Sequence, residues 1–119
     1  MPQLNENELE ILRVLWDESP QKAGQIQETF GWTIDNGTLR SALVAMVERG
    51  LLRRERRGKA FVYWPRVRRE TLFRRMVKRL ADVFAGGSTG HLLIELAAKE
   101  NLSIEDLQKL SRIANDARK

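Results

Sequence analysis

The chain has 119 residues, 42% of them hydrophobic and 31% charged, with no cysteine and a formal net charge of +5. That length suits one ordinary domain, or a small domain with an oligomerisation segment, and the apolar content excludes a disordered chain. The lack of cysteine excludes disulfides and thiolate metal sites, and no apolar run reaches the length of a signal peptide or membrane span, so the cytosol is the expected compartment.

The first helix is marked by Asn5 as cap, Glu8 three residues on as the capping-box partner, and Leu4 and Leu9 as a hydrophobic staple. Leu9, Leu12 and Trp16, with Ile11 and Leu15 beside them, form a broad apolar stripe at helical spacing, and Asp17-Glu18-Ser19-Pro20 ends it. Ala23, Ile26 and Phe30 predict a short second helix before Gly31. Trp32 to Gly37 reads as a loop in which Thr33 or Asp35 caps the next helix. That third helix is expected from about Thr38 to Arg49, with Leu39, Leu43, Met46 and Val47 facing inward and Gly50 just past its end.

After Gly50 the period changes. Leu51 to Arg56 and Ala60 to Trp64 read as two strands around a tight turn at Arg57-Gly58-Lys59, and Pro65 closes the second. From Arg66 the helical period returns. Phe73, Met76, Val77, Leu80, Val83 and Phe84 make one apolar face, Gly86-Gly87-Ser88 breaks the helix, and Leu92, Leu93 and Leu96 mark another. Ser103 caps the last helix, whose stripe is Leu107, Leu110 and Ile113. The expected fold is therefore mainly α with a small β-hairpin wing. A winged helix-turn-helix over residues 1–65 precedes a helical linker and dimerisation region over residues 66–119.

Charge falls unevenly on this frame. Between Arg53 and Arg79 stand twelve of the 21 Lys and Arg residues against two acids, Glu55 and Glu70, a local net of +10. Residues 1–52 carry −4 and residues 80–119 carry −1. A localised positive field takes a polyanion as its natural partner. Here the block starts where a helix ends and a hairpin begins, which suggests double-stranded DNA. A third helix of this kind enters the major groove. With its apolar positions inward, Thr38, Arg40, Ser41, Val44 and Ala45 point outward. Arg40 suits guanine, Thr38 and Ser41 a base or phosphate, Val44 a thymine methyl, and Asn36 either adenine or the turn itself. Arg53, Arg54, Arg56, Arg57 and Lys59 on the wing suit phosphates. Each has a plainer reading as a solvated charge or an ordinary surface residue. The tail helices have large apolar faces and no sheet to cover them. Met76, Leu80, Phe84, Leu92, Leu93, Leu96, Leu107, Leu110 and Ile113 are expected to pair with a second copy.

Nothing in the sequence points to catalysis, a cofactor or a metal: His91 stands alone in a leucine-rich helix, and the carboxylates are scattered. Phe61, Tyr63 and Trp64 can stack on single-stranded bases, although a hairpin packed on a helix more often buries them. The rival reading is a module in which the basic amphipathic segment Arg66–Phe84 binds an anionic membrane surface or a partner protein.

Three segments together resemble the penicillinase-repressor family: Gly37-Thr38-Leu39-Arg40-Ser41-Ala42-Leu43, Glu48-Arg49-Gly50-Leu51-Leu52, and Gly58-Lys59-Ala60-Phe61-Val62-Tyr63-Trp64-Pro65. The opening Glu8 to Trp16 is similar to its first helix. The resemblance implies a winged helix, C-terminal dimerisation and repression at a palindromic operator. In antibiotic-sensing members a membrane sensor triggers cleavage of an Asn-Phe bond, and the matching pair here is Glu95-Leu96. The cysteine motif of copper-responsive members has no counterpart in this sequence, which excludes copper sensing through thiolates, and the sequence names no other inducing sensor or ligand.

Overall fold

The structure is a computed structural model that describes residues 3–117, with side chains for residues 3–113. Its elements are α1 (Glu6–Asp17), β1 (Gln21–Lys22), α2 (Ala23–Thr29), α3 (Asn36–Glu48), β2 (Leu52–Arg57), β3 (Ala60–Pro65), α4 (Arg69–Phe84), α5 (Thr89–Lys99) and α6 (Ile104–Ala117). The chain divides into two units, Met1–Leu72 and Phe73–Lys119, so the division lies inside α4. The first unit runs on past the hairpin because Val67 and Leu72 pack on its core and the Trp16 indole donates to the Val67 carbonyl at 2.9 Å.

Local chemistry starts α1. The Asn5 side chain accepts the Glu8 N–H at 2.8 Å while the Glu8 carboxylate accepts the Asn5 N–H at 2.9 Å, and Leu4 and Leu9 both pack against the core. This reciprocal cap satisfies donors that the helix itself leaves unpaired. At the other end, the Gln21 side-chain amide donates to the carbonyls of Glu18 (2.6 Å) and Val14 (3.3 Å). Gln21 also begins a strand that the sequence does not announce. β1 pairs antiparallel with β3, Gln21 opposite Tyr63 and Lys22 opposite Val62, giving a sheet in the order β1-β3-β2. Two residues are too few to show a period, and it is the open edge of β3 that recruits them.

The core gathers Ile11, Leu12, Val14 and Leu15 from α1, Ala23 and Ile26 from α2, and Leu39, Leu43 and Met46 from α3. Ile34, Leu51, Leu52, Tyr63 and Leu72 complete it. Each of the fully buried Leu, Ile and Met side chains contributes about 1.5–3 kcal/mol by leaving water. Val47 lies only partly inside, at the edge of this cluster.

Two carboxylates are built into the packing, Glu8, which pairs with Arg49, and Glu10. Glu10 is 7% exposed, and its carboxylate accepts from Arg13 Nη2 and Nε at 2.6 and 2.7 Å and from the Gly31 N–H at 2.6 Å. Arg13 in turn donates to the Thr29 carbonyl at 3.3 Å. The pair fastens the end of α2 and the start of the loop before α3 to the middle of α1. A Cβ at Gly31 would stand 2.9 Å from the Glu10 carboxylate oxygen, so a side chain there would push that carboxylate aside.

In the second unit, Gly86 and Gly87 take positive φ (58° and 87°) and the Gly87 N–H returns to the Ala81 carbonyl at 2.9 Å, ending α4. Ser88 then caps α5 through the His91 N–H, and Ser103 caps α6 through the Asp106 N–H.

Arg13 hydrogen bonding holds the Glu10 carboxyl below its ordinary range, aided by the Gly31 N–H and opposed by burial. Because the folded value is the lower one, this contribution is full above the ordinary glutamate range and disappears as pH falls through the folded value. Glu10→Ala should therefore lower unfolding stability by about 1–3 kcal/mol at neutral pH. Chemical denaturation across pH checks this, with the gap from the parent chain closing in acid.

Candidate nucleic-acid interface

Asp35 sets where α3 begins. Its carboxylate accepts the N–H groups of Gly37 (2.9 Å) and Thr38 (3.1 Å) and also the Thr38 hydroxyl proton. Those bonds, led by the Thr38 hydroxyl, keep the Asp35 carboxyl below its ordinary range and thus ionised at neutral pH. The helix starts at Asn36, two residues ahead of the expected Thr38, because Asp35, one of the two expected caps, is the residue that caps it. Thr38 Oγ1 has its proton committed to Asp35, so toward DNA it acts as an acceptor, suited to a base amino group more than to a phosphate oxygen.

With Leu39, Leu43 and Met46 fully buried, Asn36, Thr38, Arg40, Ser41 and Val44 stand on the exposed side of α3. Arg40, Ser41, Val44, Ala45 and Glu48 line one shallow recess on that side. Val44 is 44% exposed, an open methyl pair amid polar neighbours. Arg40 is tethered: its Nε donates to Asn36 Oδ1 at 2.7 Å, and Asn36 Nδ2 donates to Gln27 Oε1 at 3.4 Å. Gln27 Nε2 then donates to the Ile34 carbonyl at 2.9 Å. Asn36 thus spends both ends of its amide inside the protein.

The wing follows directly. Gly50 (φ 76°) turns the chain out of α3, and Arg57 pairs with Ala60, leaving Gly58 and Lys59 as a two-residue turn. Gly58 alone takes positive φ (64°), the pattern of a type II′ turn whose twist suits a hairpin. All five wing cations are exposed, but the four arginines among them are not loose. The Arg53 guanidinium lies 4.0 Å and that of Arg57 5.4 Å from the centre of the Trp64 ring, and Arg54 lies 4.3 Å over Phe61. Arg56 Nε donates to the Gly58 carbonyl at 3.2 Å, and Arg57 stands 3.9 Å from Glu55. Aromatic faces therefore carry guanidiniums here. Phe61 is itself exposed beneath Arg54, whereas Tyr63 is buried and Trp64 half-buried. The sequence shows the five cations. The stacking becomes visible only through the register that sets Arg53 opposite Trp64.

In the second unit the apolar side chains stay largely uncovered. Met76, Leu80, Phe84, Leu93, Leu96, Leu107 and Ile113 are exposed, as are Ile94 and Ile104, which the stripe reading passed over. Leu92 differs: it is 9% exposed, and Leu110 is half-buried. Leu80, Phe84, Leu92 and Leu96 line an apolar groove edged by Glu95 and Lys99, themselves paired at 2.9 Å. The Glu95–Leu96 bond lies within α5, and His91 is exposed near that helix's start. No helix among the described residues is long and apolar enough to cross a membrane.

A family model described as "Penicillinase repressor" matches residues 4–116. The penicillinase repressor of Bacillus licheniformis is 22% identical over 120 residues, covering 98% of this chain and 92% of that protein. Two solution structures are also similar to it. The DNA-binding domain of the repressor BlaI is 26% identical, covering 57% of this chain and 85% of that chain, with a TM-score of 0.49. The Bacillus licheniformis BlaI monomeric form in complex with the blaP half-operator is 26% identical, covering 58% and 87%, with a TM-score of 0.47. The family match runs through α3, the wing and all three tail helices, and the chain belongs to the penicillinase-repressor family.

Proposed function

We propose that the chain is a DNA-binding transcriptional repressor that acts as a homodimer on a palindromic operator. The observation that carries this reading is the family match across residues 4–116, which takes in both the α3–wing unit and the helical tail. In this account residues 1–65 bind DNA, and residues 66–119 link and dimerise. α3 lies in a major groove with Arg40 toward a guanine, Ser41 and Thr38 toward neighbouring polar groups and Val44 toward a thymine methyl. Arg53, Arg54, Arg56, Arg57 and Lys59 neutralise phosphates beside it, giving affinity without sequence information.

The tail supports the two-fold part of the reading. An exposed run from Met76, Leu80 and Phe84 to Leu93, Leu96, Leu107 and Ile113 is costly in water, and self-association is the simplest way to cover it. Occupancy then represses by denying the promoter to polymerase. An inducing sensor or ligand would act by weakening either the dimer or the DNA contact.

Selection of random duplexes by the purified chain should enrich a palindrome with half-sites about 10 base pairs apart, or a multiple of that. Enrichment of a single unrepeated motif would contradict the dimeric reading. On the enriched duplex, Arg40→Ala should weaken binding by about 1–3 kcal/mol and relax selection at one base pair in each half-site. Replacing both Arg57 and Lys59 by Ala should weaken binding to every duplex and flatten the slope of log affinity against log salt by about 1.8. A loss confined to one base position would argue against phosphate contacts at the wing tip.

A further inference from the structure

Three amides and one guanidinium form a chain of hydrogen bonds whose direction is fixed at both ends. The Ile34 carbonyl can only accept, and Gln27 Nε2 donates to it at 2.9 Å. Ile34 is a buried member of the core, so that carbonyl is held by packing and not by the surface. With its nitrogen so engaged, Gln27 must turn Oε1 the other way, where it accepts from Asn36 Nδ2 at 3.4 Å. Asn36 must then turn Oδ1 toward Arg40, and Arg40, which has only donors, gives it Nε–H at 2.7 Å. The polarity agrees from the core to the outer face of α3.

The consequence lies in what Arg40 has left to offer. Its Nε is spent, so the paired Nη groups are the end presented outward, and the swing of the side chain is restricted by the bond to Asn36. A guanidinium held in one orientation loses less freedom on meeting a base edge and tolerates fewer wrong ones. We infer that Gln27, on α2 and outside the reading helix, is a positioning residue that sets the sequence preference of Arg40 by dictating which way the Asn36 amide faces. This rests on the assignment of Arg40 to a base edge.

Two substitutions separate positioning from mere support. Gln27→Met keeps the length of the side chain and removes both bonds. Gln27→Glu loses the donor to Ile34 but keeps an oxygen that accepts from Asn36 Nδ2, so it preserves the amide's direction while weakening the fold. The probe is the duplex enriched by the parent chain, together with its single-base-pair substitutions. The readout is the ratio of affinities between them, in which general changes of charge cancel. Gln27→Met should lower discrimination at the Arg40 base pair by about two- to tenfold, the worth of one hydrogen bond, with non-specific affinity unchanged. Gln27→Glu should lower the thermal midpoint yet keep the parent's discrimination. If Gln27→Met discriminates like the parent while Arg40→Ala does not, the relay is wrong and the reading of Arg40 stands. If Gln27→Glu loses discrimination as Gln27→Met does, the role is structural and the proposal is overturned. If Arg40→Ala discriminates like the parent, the assignment of Arg40 fails and the relay with it.

Discussion

Everything the first unit presents to its surroundings follows from what its core takes in. Leu39, Leu43 and Met46 are each wholly buried, and the 3.6-residue period then leaves no choice about Arg40, Ser41 and Val44, which face outward. The same cluster holds Ile34 and Leu52, the residues flanking α3 on either side, so both the entry to the helix and the exit into the wing are anchored in one place. A shift of the buried positions by one residue would rotate the helix by about 100° and carry Arg40 and Val44 toward the core. Truncation of any one of its fully buried leucines would cost about 2–5 kcal/mol, a large share of the stability of so small a unit.

Electrostatics work on top of this frame. The wing concentrates five cations on a short hairpin with only Glu55 for company, which raises the energy of the free protein through repulsion. Two exposed charges about 6 Å apart in water repel by roughly 0.7 kcal/mol, so the load is modest singly and appreciable together. Seating Arg53 and Arg57 on Trp64 and Arg54 on Phe61 offsets part of it and reduces side-chain freedom. A phosphate backbone would relieve the remainder, with release of its counterions as the driving force. The second unit carries a different imbalance, apolar instead of charged. Its helices bury Ala81 and Leu92 while leaving Phe84, Ile94, Ile104 and Ile113 mostly open to water.

Local chemistry made much of this legible in the sequence. The Asn5–Glu8 box, the staple of Leu4 and Leu9, the stripe of α3, Gly50 after it and the Gly58 turn all depend on residues a few positions apart. What escaped the sequence depends on distant partners. The Glu10–Gly31 bond spans 21 positions, β1 exists because β3 has a free edge, and the stacking of Arg53 on Trp64 needs the strand register. Asn36 is a sharper case, because its residue type fits a base reader, a turn or a relay equally well. Its partners are Gln27 and Arg40, and the first of them sits on a different helix. Likewise, helical spacing groups Leu92 with Leu93 and Leu96, but only packing separates the covered side chain from the open ones.

The central claim, that two copies joined by their tails hold two reading helices on one duplex, is tested most directly by sedimentation equilibrium. The complete chain would be mixed with the duplex it enriches from a random pool. The account predicts two chains per duplex and a free protein that sediments as a dimer. A single chain per duplex at saturation, with free protein that stays monomeric across the concentration range, would contradict it.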